Sequence, residues 1–286
     1  MEAVVCTVVY PSSLMYWRDF LNSLISQDEP TDLVVVHEDI NPRLLGLENF
    51  RGRTIAVRGT NDGLENRRIM IEAALGECYE WLIFADSDDY FDPARNSVIS
   101  RLARNCDCVV NDLAIIDRDG QLLRDAQWSG RLGEEKIIDP VFLEDKNIMG
   151  LSNTAIKADF LKGISVPSGV LAADWYLFTL AIRKGARALF TSSTRTYYRQ
   201  HGNNAAGAVD MLSAERVSAA VRVKAAHYRL LPKGLPGVEP RNKYFGQLSG
   251  EIDRDPLRLE KYMREMSQVP AEGLYWWENA PFEPKY

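Results

Sequence analysis

Apolar residues in the first hundred positions fall in short runs, separated by stretches with helical spacing. Val4–Val9, Leu33–Val36, Thr54–Val57 and Trp81–Ala85 read as four strands. Continuous apolar runs of this length suit strands covered on both faces. Between them, Trp17, Phe20, Leu21, Leu24 and Ile25 fall at helical spacing behind a Pro11-Ser12-Ser13 turn that can cap a helix. Residues 64–75 are also helical and end at Gly76. Asp92-Pro93 supplies an N-cap and first helical position for a segment running to about Ala103. Strands separated by helices predict an α/β domain with a mostly parallel central sheet flanked by helices, and ligands at the strands' carboxyl ends.

The pattern then changes. Cys108–Asn111 is a short strand, and Ala114–Ile116 and Gln121–Leu123 flank Asp117-Arg118-Asp119-Gly120, a hairpin signal. Asp174–Lys184 reads as a helix stopped by Gly185. Arg187–Phe190 and Arg195–Arg199 read as the last strands, Leu212–Leu231 as a helix, Pro232–Pro240 as a linker and Leu257–Met266 as a final short helix.

Composition narrows the class. The 286 residues carry a net charge of −6, which argues against a nucleic-acid binder relying on a basic footprint. Glu2 stands where a signal peptide would carry positive charge, and the first apolar stretch stops at Pro11. No apolar run approaches the ~18–20 residues that span a bilayer. Four cysteines are too few for a disulfide scaffold, and Cys106-Asp107-Cys108 lacks the spacing of a zinc or redox pair. The expectation is a cytoplasmic protein with reduced, mostly buried thiols.

Candidate chemistry concentrates at residues 81–93, Trp-Leu-Ile-Phe-Ala-Asp-Ser-Asp-Asp-Tyr-Phe-Asp-Pro. An apolar strand delivers Asp86, Asp88 and Asp89 to its carboxyl end. Crowded carboxylates resist joint ionisation unless a cation or solvent compensates. Mg²⁺ and Mn²⁺ prefer oxygen ligands and commonly bridge carboxylates to phosphates. Taken alone, the cluster is either such a site or a solvated acidic loop before a helix. A calcium loop is a poor fit, because Phe91 and Ser97 occupy the positions that need glycine and glutamate.

With these residues in view, the sequence resembles GT-A-fold glycosyltransferases, most of all the inverting family 2. The likeness runs from about residue 3 to 204. It rests on the first strand and turn Cys6–Pro11, on Val34-Val35-Val36-His37-Glu38-Asp39, on Asn61-Asp62-Gly63 followed by Arg67 and Arg68, and on Asp86-Ser87-Asp88-Asp89. The hairpin at Asp119-Gly120, Ala173-Asp174-Trp175 at a helix start, and Tyr197-Tyr198-Arg199-Gln200-His201-Gly202-Asn203-Asn204 continue it in order. The resemblance implies a catalytic domain over 1–204, with a nucleotide-sugar half (1–105) and an acceptor-side half (106–204), and a helical extension over 205–286.

It also implies roles. Thr7, Val9, Tyr10, Pro11, Glu38, Asp39, Asn61, Arg67, Arg68, Asp86, Ser87 and Arg199 would bind the nucleotide sugar. Either Glu38 or Asp39 would read the base, and the choice between Arg67 and Arg68 stays open. Asp88, Asp89 and His201 would hold Mn²⁺ or Mg²⁺, the alternative for His201 being a structural loop residue. Asp174 would be the general base, a helix-cap role being equally compatible with its position. Asn153, Trp175 and Tyr176 would lie on the acceptor side, although aromatics at a helix start are commonly core. Ala173 replaces the usual glutamate.

The implied activity is transfer of a sugar from a nucleotide-diphosphate sugar, most naturally a UDP-sugar, to a glycan or lipid-linked acceptor. Two alternatives are a sugar-nucleotide nucleotidyltransferase, disfavoured by the glycine-free Tyr10–Ser13 turn, and a non-catalytic nucleotide-sugar binding module. In the extension, Arg216, Arg222, Lys224 and Arg229 against Glu215 form a basic stripe. Such a stripe fits either an ordinary solvated face or contact with an anionic membrane, a phosphorylated acceptor or a second subunit. The expectation is a cytoplasmic enzyme with an ordinary solvated helix face, contact with the inner face of a membrane and association of copies through the extension being the alternatives.

Overall fold

The computed structural model describes residues 2–201, 213–266 and 275–282. Five strands follow the first apolar runs: β1 (Ala3–Val9), β2 (Asp32–His37), β3 (Thr54–Arg58), β4 (Trp81–Phe84) and the short β5 (Tyr90–Phe91). β6 (Cys108–Ile116), β7 (Leu122–Arg124), β8 (Glu135–Ile138), β9 (Thr154–Lys157) and β10 (Ala188–Arg199) complete the sheet. The strand order is β3-β2-β1-β4-β9-β6-β10-β5, with β7 on β6 and β8 on β10. Pairing is parallel through β3-β2-β1-β4 and between β6 and β10. It is antiparallel around β9 and at β5, β7 and β8.

α1 (Trp17–Ile25) covers one face of β1, burying Trp17, Phe20, Leu21 and Leu24 against Val5, Val9, Leu33 and Val35. Each of these large apolar side chains contributes about 1.5–3 kcal/mol on leaving water. The Trp17 indole N–H donates to the Leu45 carbonyl at 2.8 Å, so its polar atom is satisfied inside. α2 (Gly63–Gly76) is capped by Asp62, whose carboxylate accepts from the amides of Leu64 and Glu65.

Three differences from the sequence pattern have local causes. Cys108–Asn111 and Ala114–Ile116 are one buried strand, because Asn111 and Asp112 find partners inside the sheet rather than in solvent. Asp112 accepts from the amides of Leu113, Trp128 and Ser129. The two expected last strands are likewise one, β10, whose register shifts between Thr191 and Arg195 as its partner changes from β8 to β5. Asp92 does not cap a helix beginning at Pro93. Its carboxylate accepts from the Ala94 amide in a preceding turn, and α3 spans Arg95–Leu102.

Cys6, Cys106 and Cys108 are buried and Cys78 is exposed, with φ +62°. Burial raises the pKa of each of the three buried thiols.

The chain divides into two compact units. Among the described residues, the first holds 2–139, 148–165 and 180–201, and the second holds 140–147, 166–179, 213–266 and 275–282. The expected boundary at 204/205 lies outside the described residues. After the one-turn α4 (Ser129–Leu132), α5 (Ala173–Arg183) carries the chain from the second set of residues back to the first.

The second unit contains α6 (Ala214–Leu230), α7 (Val238–Arg254) and α8 (Pro256–Met266). The expected 232–240 linker is therefore shorter, and Pro240 sits in the first turn of α7, where a missing amide costs no helical bond. The expected basic stripe loses a member. Arg216, Arg222 and Arg229 are exposed, but Lys224 is buried, donating to the Ala280 carbonyl at 2.8 Å and lying over the Phe245 ring. Trp276 meets Trp175 edge-on, so the terminal aromatic segment docks within this unit.

Burial pushes Lys224 down to about 7 from its ordinary 10.5, with Arg241 and Lys146 lowering it further and Asp145 and Glu278 opposing them. The unfolded chain then binds more protons between these values, so stability rises with pH across that window. Urea unfolding is expected to show a gain of about 2 kcal/mol from pH 7 to 9 attributable to this lysine. That gain should be absent in Lys224→Met.

Candidate active site

β4 ends in the acidic segment, which turns at once because the Asp89 amide donates back to the Asp86 carbonyl, and re-enters the sheet as β5. The Ser87 and Ser13 hydroxyls meet at 2.8 Å, tying this turn to the one that follows β1. Asp86–Asp89 thus stand at the carboxyl ends of the parallel strands, where open α/β sheets bind ligands.

The carboxylates differ sharply in environment. Asp89 is 1% exposed; one oxygen accepts from the Arg199 amide at 2.7 Å and the other from the Ser152 hydroxyl. Burial, with Asp88 and Asp86 close by, pushes its pKa well above the usual carboxylate range. Asp88 is part-exposed, and its Oδ2 lies 2.8 Å from the His201 Nε2. Asp89, expected as a direct metal ligand, is a buried support in this structure, whereas Asp88 and His201 face each other.

Two arginines frame the loop. Arg199, 1% exposed, donates Nε to the Asp88 carbonyl, Nη1 to the Arg118 carbonyl and Nη2 to the Asp19 carboxylate. It lies inside the frame, its guanidinium spent on protein groups rather than held out as a donor contact. Arg95, also 1% exposed, donates to Asn111 Oδ1 and to the carbonyls of Phe84 and Ser152, and lies over the Phe91 ring. Burial pushes it down to about 9, which leaves it cationic at neutral pH.

On the β1–β2 side, Thr7 and Val9 are fully buried, so their side chains belong to the core; the Val9 carbonyl accepts from the Glu38 amide. Tyr10 is half-buried, and its hydroxyl lies in the combined field of Arg67, Asp86, Glu38 and Asp88, with burial as the larger cause of its raised pKa. Pro11 and Asn61 are exposed. Glu38 accepts from Asn66 Nδ2 at 3.3 Å, while Asp39, at φ +45°, turns out to an exposed ion pair with Arg58. Arg67 is near enough for its charge to hold down the Tyr10 pKa, and Arg68 pairs with Glu65. Glu38 and Arg67 therefore share a neighbourhood with Tyr10 and Asp86. A Cβ at position 59 would lie 2.4 Å from Asn66 Oδ1, so glycine there permits the Asn66 placement.

Asn153 is 2% exposed. Its amide group donates to the Asn111 and Ile148 carbonyls and accepts from the Gly150 amide, which makes it a loop brace. In the second unit, Asp174 lies at the start of α5, accepting from the Trp175 amide and from Asn147 Nδ2 at 3.2 Å. Trp175 and Tyr176, expected toward an acceptor, are 1% and 5% exposed. Trp175 stacks flat on His227 at 3.6 Å and donates its indole N–H to the Leu143 carbonyl. These rings are core. Gly202, Asn203 and Asn204 lie outside the described residues.

Sequence reasoning passed over Asn66, Arg95, Ser152 and Tyr16. Asn66 carried a legible signal: it precedes the buried Met70 and Ala74 by four and eight positions, a polar residue in an apolar helical stripe. Arg95, four before buried Ile99, carried the same signal.

No protein-family model and no curated protein matches the sequence. Solved structures do. Residues 1–349 of S. aureus TarS in complex with UDP-GlcNAc give a TM-score of 0.61 at 17% identity, covering 95% of this chain and 78% of that one. The same TarS segment in complex with UDP gives 0.59 at 16% identity, covering 88% and 72%. The chain has the GT-A fold, a helix-flanked α/β sheet shared with these glycosyltransferase structures.

Removing the buried cation takes a donor from Asn111 Oδ1 and from the carbonyls of Phe84 and Ser152, and a positive charge from the surroundings of Asp89. Arg95→Met is expected to destabilise the protein by about 3–5 kcal/mol in urea unfolding.

Proposed function

We propose that this chain is a metal-dependent, inverting glycosyltransferase that moves a sugar from a UDP-sugar to a hydroxyl of a glycan or lipid-linked acceptor. The observation that carries the reading is the Asp88–His201 pair, set on a buried Asp89 at the carboxyl ends of a GT-A sheet. The likeness to TarS complexed with UDP-GlcNAc supports the donor class.

The donor set fits a divalent cation in part. Asp88 supplies a carboxylate oxygen and His201 an imidazole nitrogen, both part-exposed and adjacent. No set of three or more His, Cys, Asp or Glu groups among the described residues forms a metal cage. Two protein ligands are what a Mg²⁺- or Mn²⁺-type ion needs when phosphates and water complete its shell. Such an ion, when bound, supplies Lewis-acid stabilisation of the leaving diphosphate.

The chain's own residues do the rest. Glu38, held by Asn66, offers acceptor oxygens to a base N–H, as uracil presents. Tyr10 provides a ring beside it, and Arg67 a cation toward phosphate. Asp86, whose charge is felt by Tyr10, would contact the ribose. In this reading Asp174, whose carboxylate accepts from Asn147 Nδ2 and the Trp175 amide, is the general base that takes the acceptor hydroxyl's proton as that oxygen displaces the diphosphate at the anomeric carbon. Single displacement inverts the anomeric centre. Among the described residues, no helix is long and apolar enough to cross a membrane. The exposed Arg216 and Arg229 would favour an anionic membrane surface carrying a lipid-linked acceptor.

Thermal unfolding with UDP or UDP-GlcNAc is expected to shift upward with Mn²⁺ and not with EDTA. No shift with any nucleotide, with or without metal, sinks the reading. Asp174→Asn is expected to lower transfer by about 10²–10⁴-fold while leaving UDP binding near that of the parent. Retained turnover removes Asp174 as the base.

A further inference from the structure

We infer that Tyr16 is a positioning residue for the cation-binding pair, its ring fixing the plane of the His201 imidazole so that Nε2 meets Asp88. This rests on the reading of Asp88 and His201 as cation ligands. Tyr16 occupies the N-cap of α1, a position that favours small polar residues able to bond the first free amides, and its side chain makes no such bond. The ring is turned inward instead and is 8% exposed. It stacks on His201, with centroids 5.5 Å apart and planes within 17°, and the Arg199 guanidinium carbon lies 4.6 Å from its centroid.

The sequence spacing makes this double contact possible. Residues 199 and 201 are two apart on extended chain and project to one side. Tyr16 and Asp19 are three apart on α1 and share a helix face. Asp19 takes the Arg199 Nη2 while Tyr16 takes the flat faces of both partners. Arg199 has other anchors in the Asp88 and Arg118 carbonyls, so loss of the ring leaves the acidic loop framed. His201 has the Asp88 bond at one ring edge and the Tyr16 face along its plane, so loss of the ring removes a contact that sets the imidazole's orientation.

The test is Mn²⁺ titration by electron paramagnetic resonance in the presence of UDP. Tyr16→Leu should weaken Mn²⁺ by about tenfold, as loss of a ligand-orienting neighbour does, and Tyr16→Phe, which keeps the ring, should restore binding. In a His201→Ala background, Tyr16→Leu should add no further loss, because a residue acting through His201 has nothing left to position. Proton NMR gives a metal-free measure: the His201 ring protons should lose their ring-current shift in the leucine variant. Tyr16→Met carries the same expectations if the leucine variant does not fold. Parent-like Mn²⁺ affinity without the ring, or an equal loss in the His201→Ala background, overturns the role of Tyr16 alone. No Mn²⁺ binding by the unsubstituted protein overturns the donor reading and the role of Tyr16 with it.

Discussion

A carboxylate held out of water must be surrounded by donors and opposite charge, and the Asp89 side chain sets that requirement at the centre of the first unit. Its two oxygens draw in the Ser152 hydroxyl and the Arg199 amide, so three segments distant in sequence converge on one side chain. Arg95, near enough for Asp89 to favour its charged form, takes up the carbonyls of Phe84 and Ser152. An unpaired charge or orphaned acceptor in this environment is expensive, which makes the arrangement cooperative. The acidic turn is therefore a rigid platform on which Asp88 alone of the last two aspartates faces outward.

This explains why chemistry-bearing and structural residues alternate along the segment. Ser87 is bonded inward to Ser13, Asp88 faces His201, and Asp89 is buried. In a turn closed between the Asp86 carbonyl and the Asp89 amide, neighbouring side chains leave in different directions. One motif thereby both presents an outward carboxylate and clamps the fold, and an aspartate's place in the triplet decides which of the two it does. The β2 edge repeats the division: Glu38 stays with Asn66 while Asp39, in left-handed backbone, leaves for solvent.

Much of this was legible beforehand. The strand–helix alternation through residue 102, the hairpin at Asp119-Gly120 and the cluster at 86–89 follow from short-range periodicity and turn chemistry. Three features were not. β6 and β10 are continuous because polar residues inside them find partners across the sheet, information no local window carries. α7 was hidden by the prolines and glycines at its start. Trp175, Tyr176 and Lys224 looked like surface chemistry because composition does not reveal which face of a helix is covered; in the second unit the apolar faces of α6 and α7 and the terminal aromatics bury all three. Among the carboxylates, the sequence singles out the cluster at 86–89 but not which member is buried, which depends on Ser152 and Arg199, 63 and 110 residues downstream of Asp89.

Of the four thiols, Cys78 alone is accessible, and it lies three residues before the strand whose far end carries the acidic turn. Maleimide chemistry on the native protein would place one fluorophore at the amino end of β4, with no engineered residue and no disturbance of the buried sulfurs. The molecule comes with its own attachment point, separated from the aspartates by the length of one strand, from which distance changes on ligand addition can be followed optically.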